Sequence, residues 1–118
     1  MTTTRFESHV RVEPDRCVVD LRGDIDGAAQ GALAAVYQQV ADAVPTTLLL
    51  NFAGVDYINS TGIALIVGLL GRARAEGRSV AAYGLSAHYR EIFDITRISD
   101  FMPIYPDEAS AAADHEGS

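Results

Sequence analysis

Residues 55–77, VDYINSTGIALIVGLLGRARAEG, set a polar Asn59-Ser60-Thr61-Gly62 knot directly ahead of a long apolar run. Ile63, Ile66, Val67 and Leu70 recur at helical spacing on one stripe, while Leu65 and Leu69 are apolar on another. This periodicity predicts a helix over about 61–75, closed by Gly77. A helix apolar nearly all round is either buried on every side or meets a partner. In so short a chain, with the helix outside a sheet, the second alternative is favoured. Ser60 or Thr61 is expected to cap the first turn by accepting from a free amide. That role leaves Gly62 unexplained, because glycine is a poor helix former unless something approaches the backbone closely.

Upstream, TTLLLNF (46–52) has the compact apolar character of a strand buried on both faces of a sheet. Before it, residues 24–44 place Ala29, Leu33, Val36, Val40 and Val44 on one helical face, with Asp24 or Asp26 as the starting cap and Pro45 past the end. HVRVE and CVVDLRG, joined by Pro14 and Asp15, read as a hairpin. Downstream, SVAAYGL reads as a strand and SAHYREIFDIT as a short helix capped by Ser86. FMPIY reads as an edge strand, since Pro103 cannot donate to a ladder, and PDEASAAA as a helix with Pro106 in its first turn. Strands alternating with helices predict one α/β domain over residues 1–118, its core at about 6–113 and a frayed tail at 114–118. The sheet is expected to be mixed and mostly parallel, with four to five strands and about four helices packed on it.

The composition excludes several classes of function. Sixteen acids against nine bases, all arginine, give a formal charge of −7, which repels a phosphate backbone and argues against nucleic-acid binding. Arg72, Arg74 and Arg78 fall where the apolar helix ends, and cations there complement its dipole. No segment is long enough to insert in a membrane, and the polar opening MTTTRFESHV lacks a signal pattern, so a cytoplasmic location is expected. Cys17 is the single cysteine and is read as a small buried hydrophobe.

Catalysis has no visible machinery. Ile58 stands two residues before Ser60 where a nucleophile elbow needs glycine, and none of His9, His88 and His115 is placed as a base. The chain has no lysine and neither glycine-rich phosphate loop. Asp24 and Asp26 lack a third ligand, so no metal and no cofactor are expected.

The stretch LLLNFAGVDYINSTGIALIVGLLGRARAEGRSVAAYGL resembles the central segment of STAS domains, most closely the bacterial anti-sigma-factor antagonists. LRGDIDGAAQGAL upstream and IFDITRISDFMPIYPDEASA downstream extend the resemblance over nearly the whole chain. It implies a binding module, not an enzyme. Ser60 matches the serine that a kinase-type anti-sigma factor, with a histidine-kinase-like ATPase fold, phosphorylates in that family; Thr61 matches a neighbouring hydroxyl that is usually unmodified. The unphosphorylated form would bind the anti-sigma factor and free the sigma factor, and a PP2C-type phosphatase would reset the switch. The implied docking residues are Asp24, Asp26, Asp56, Asn59, Ser60, Thr61, Gly62, Ile63, Leu65, Val67 and Leu69. Two positions depart from the family pattern: Asn59 and Asn51 stand where aspartate is common. The alternative in this family is an adaptor or scaffold subunit without a phosphoswitch, in a stress-sensing complex or a lipid transporter.

Overall fold

A computed structural model describes residues 5–43 and 46–116. Strands β1 (Glu7–Val12) and β2 (Arg16–Ile25) form the expected antiparallel hairpin. A 3-10 turn at Gly27–Ala29 leads into helix α1 (Gln30–Ala43). Strand β3 (Thr47–Ile58), helix α2 (Ser60–Ala75), strand β4 (Ser79–Tyr83), helix α3 (Ala87–Ile95), strand β5 (Ile104–Tyr105) and helix α4 (Glu108–Glu116) follow. The five strands lie in sequence order, and every pairing after the hairpin is parallel. With right-handed crossovers, that order lays α1, α2 and α3 on one face. The four-helix, five-strand mixed sheet matches the architecture expected from the sequence.

The alternation of strand side chains divides the core in two. Cys17, Val19 and Leu21 of β2, Leu48, Leu50 and Phe52 of β3, and Val80 and Ala82 of β4 meet α1–α3. Val18, Leu49, Ala81 and Tyr83 point the other way, onto Ala111 of α4. TTLLLNF is thus buried on both faces, as its unbroken apolar run requires. Of the α1 face, Ala29, Leu33, Val36 and Val40 are buried; Val44 and Pro45 lie outside the described residues. Phe52 and Phe93 meet edge to face at 6.0 Å across the centre of the larger core.

Four local expectations are corrected. Strand β2 continues past Gly23 to Ile25: Gly23, at φ +88°, lies at a register shift within the ladder instead of ending the strand. Asp24 is therefore a strand residue, and Asp26 alone caps the following turn, accepting from the Ala28 N–H at 3.0 Å. Strand β3 runs on through Ile58, so the residues before the polar knot are ladder residues. Pro106 precedes α4, whose first turn is held by the Asp107 carboxylate accepting from the Ser110 N–H at 2.8 Å; the helix itself reaches Glu116.

The end of α2 follows the sequence reading closely. Gly77 takes φ +78° and donates to Arg74, while Arg78 donates to Ala73, the paired bonds of a Schellman stop. Arg72 and Arg74 occupy the last turn of the helix.

Candidate functional site

Parallel strands carry their C-terminal ends to the same edge of a sheet. Here that edge gathers the end of β2, the Asp26 turn and the start of α2. Ile25 and Ile58 pair across β2 and β3, and the Asn59 N–H donates to the Ile25 carbonyl at 3.2 Å. Ile58 is pinned from the opposite side, its N–H donating to the buried Tyr89 hydroxyl of α3 at 2.8 Å.

Asn59, not Ser60 or Thr61, is the cap of α2. Its Oδ1 accepts from the Gly62 N–H at 2.8 Å, and its carbonyl accepts from the Ile63 N–H at 2.9 Å. This is the job for which an uncharged amide oxygen suffices. Ser60 becomes the first helical residue, exposed to solvent, and among the described residues nothing holds its hydroxyl. Thr61 is also exposed, with its methyl turned toward Gly27.

Gly62 is explained from within. A Cβ at this position would overlap the carbonyl of Ile25 and stand 3.1 Å from that residue's Cγ2. The helix start and the end of β2 are in main-chain contact, which only glycine allows. Gly62 is buried, so it offers no side chain to a partner.

The other predicted docking residues divide into two surfaces. Asp24 and Asp26, half-buried, and Asp56, exposed, join Asn59, Ser60 and Thr61 at the edge of the sheet. Ile63, Leu65 and Leu69 are half-buried against the core, and Val67 points outward at 46 % exposure. Leu65 and Leu69 line an open groove between α1 and α2 of about 240 Å³, with Leu33, Tyr37 and Arg72 among its other walls. The sequence reading missed Tyr37, Tyr89 and the exposed Tyr57 near the end of β3. Tyr89 could not have been found by spacing, because its partner is a backbone amide in another element. Tyr37 occupies a predicted helix, and its polar tip meets Glu76 and Arg78 beyond α2.

A second polar cluster lies across the sheet. Arg11 of β1 forks onto Asp20, at 2.9 and 3.0 Å, and reaches Glu108 of α4 at 2.9 Å. Tyr83 donates to the same Glu108, and the Asn51 amide donates to Asp20 at 2.8 Å. The guanidinium beside them holds both carboxyls below the usual range, while burial, and then Glu108, pushes the Tyr83 phenol up. Burial likewise pushes the Cys17 thiol up, as an inert core thiol requires. Among the described residues no group of three His, Cys, Asp or Glu side chains could hold a metal ion, and no helix is long and apolar enough to cross a membrane.

A family model described as Mlab, STAS domain, matches residues 8–104, from the hairpin through the capped α2 to the start of β5. The chain belongs to the STAS family. Within it, the anti-sigma-B factor antagonist of Staphylococcus epidermidis is 35 % identical over 54 residues, 46 % of this STAS chain and 50 % of that protein. The chain thus spans about half the length of the curated relatives it matches. An anti-sigma factor antagonist from Mycobacterium paratuberculosis superimposes with a TM-score of 0.79 at 19 % identity, over 92 % of each chain. The unphosphorylated form of the antagonist SpoIIAA gives 0.71 at 19 % identity, covering 97 % of this chain and 99 % of its own. At such identities the two structures establish the STAS fold alone.

Proposed function

We propose that this STAS domain is a non-catalytic, cytoplasmic anti-sigma-factor antagonist, switched at Ser60. Unphosphorylated, it docks the Ser60 edge and the adjoining outer face of α2 on a kinase-type anti-sigma factor and so releases a sigma factor. Phosphorylation at Ser60 ends the docking, and a PP2C-type phosphatase restores it. The observation that carries this reading is the division of labour at the helix start: Asn59 caps α2, so the exposed Ser60 hydroxyl is spare. The distant similarity to the staphylococcal antagonist supports it.

The physics of the site says how such a switch would act. A phosphoryl group adds about −1.5 to −2 charge at pH 7 and would sit at a helix N-terminus, where the dipole and the free first-turn amides favour it. Asn59 already takes the Gly62 amide, which leaves the Ser60 and Thr61 amides available to the phosphate. The fold is therefore expected to survive modification, and the loss falls on the partner interface, where an unpaired desolvated charge is costly. The test is incubation with a kinase-type anti-sigma factor and ATP, read by intact mass, with Ser60→Ala as control. A phosphoryl adduct absent from the control supports the switch. Binding without any adduct removes the switch and leaves the antagonist.

Asn59 favours a second reading, a STAS adaptor without a phosphoswitch. The residue is a complete structural cap with no charge beside Ser60, so this edge works as architecture whether or not a kinase reads it. Co-purification with a transporter or a large assembly, unaffected by Ser60→Asp, would favour the adaptor.

A further inference from the structure

Among the described helices, α4 alone covers its face of the sheet, and it does so with small side chains. Helix α1 buries Leu33, Val36 and Val40, α2 buries Ile66 and Leu70, and α3 buries Phe93. The sequence of α4, EASAAADHE, holds no apolar residue larger than alanine, and of its described side chains only Ala111 is buried. An alanine methyl removes far less apolar surface from water than a leucine or phenylalanine side chain. Beneath it, Val18 of β2, Leu49 of β3 and Ala81 of β4 are fully buried. They are register partners, so they form one row across three strands.

The contacts that hold α4 in place are mainly polar. Glu108 accepts from Arg11 Nη2 and from the Tyr83 hydroxyl, each at 2.9 Å. Both ends of the ion pair are open to water, Arg11 at 34 % and Glu108 at 39 % exposure, so solvent weakens it. Only Pro106 and Asp107 join the helix to β5, which stays paired with β4 through Ile104 and Tyr105. Departure of α4 therefore breaks no ladder. Arg11 would keep its fork onto Asp20, so no guanidinium is stranded. The larger core, with Phe52 against Phe93, lies on the other face and loses nothing.

We propose that α4 is a strap that opens at Pro106 and Asp107 while the rest of the domain stays folded, with the Glu108 contacts as its latch. Segments with few buried apolar contacts open at lower free energy than the core they cover. An element held by one buried alanine and one solvated ion pair is such a segment. Opening uncovers the Val18–Leu49–Ala81 row, an apolar surface on the face of the sheet away from α2. The strap works whether or not Ser60 is a kinase substrate.

Cys17 supplies the reference for a test. It is the single cysteine, fully buried in the larger core, whereas its neighbour Val18 points to α4. Val18→Cys adds no bulk and places a thiol on each face of the same strand. Alkylation of the folded full chain, mapped by mass spectrometry, gives both rates, each divided by its rate in the unfolded chain. The introduced thiol should react at least about tenfold faster than Cys17, with a shallower urea dependence, because opening the strap exposes little surface. Adding Glu108→Ala should speed it by a further factor of about three to ten. Hydrogen exchange of the unsubstituted chain is a second measurement, and it carries the test if circular dichroism shows Val18→Cys unfolded. The amides of residues 112–116 should exchange at least about tenfold faster than those of 48–52. Equal normalised thiol rates with one urea dependence overturn the proposal, as do α4 amides protected as well as those of β3. A Glu108→Ala change that leaves the introduced thiol's rate unmoved overturns the latch.

Discussion

The Asn51 side chain donates to Asp20 Oδ1 at 2.8 Å while its own oxygen accepts from the Ala53 N–H at 2.9 Å. One residue thus supplies a donor and an acceptor to neighbours that need one of each. Asn51→Asp would keep the acceptor and turn the donor into a second carboxylate facing Asp20. The variant should be less stable than the wild type at neutral pH by about 1–3 kcal/mol. The difference should shrink on acidification, as one carboxyl of the pair takes up a proton with a raised pKa. Urea midpoints at neutral and mildly acidic pH measure both effects.

Arg11 sets the acid limit of the wild type. Its hydrogen bonds hold the Asp20 and Glu108 carboxyls below their ordinary range. A depressed carboxyl contributes stability that is complete above its unfolded value and is lost as pH falls through its folded one. Arg11→Met should therefore cost most at neutral pH, with the melting curves of the two proteins converging in acid. Tyr83 limits the other end, since its phenol is pushed up by burial and then by Glu108. Its contribution is complete below the ordinary tyrosine value of about 10 and is lost as pH rises beyond it.

The cap of α2 needs an acceptor, not a charge. Asn59→Ala removes the bond to the Gly62 N–H and should cost about 1 kcal/mol, whereas Asn59→Asp keeps an equivalent oxygen and should stay within about 0.5 kcal/mol of wild type. Thermal melts at neutral pH distinguish the two.

Alanine should have opposite effects at two glycines of the same helix. Gly62→Ala drives a methyl into the Ile25 carbonyl and should destabilise by about 1–3 kcal/mol, through overpacking against main chain. Gly68→Ala enters open space and should stabilise the protein by up to about 1 kcal/mol through helix propensity. Denaturant titrations report both signs.

The element order was legible because each element carries its own local signal. The period of α1, the unbroken apolar run of β3, the Gly77 stop and the Ser86 cap are all read over a few residues. What escaped depends on residues far apart in the chain. Gly23 looks like a strand terminator by itself, and only the pairing of β2 with β3 makes it a register shift within the ladder. Ser60 and Thr61 are as good cap formers as Asn59, and the choice was made by where β3 ends, at Ile58, which leaves Asn59 as the extended residue ahead of the helix. The Arg11–Asp20–Glu108 cluster joins first and last elements that no sequence window spans together.

The contact between Gly62 and Ile25 also bears on how this surface can change over generations. The obstacle at Gly62 is the carbonyl of Ile25, which any residue at that position would present, so no single second-site replacement can make room for a larger side chain. Asn59, whose duty any short acceptor can perform, is free to drift among asparagine, aspartate, serine and threonine. One position of the knot is locked by the backbone and another is open to variation. New partner preferences can therefore arise at the helix start without the helix losing its seat on the sheet.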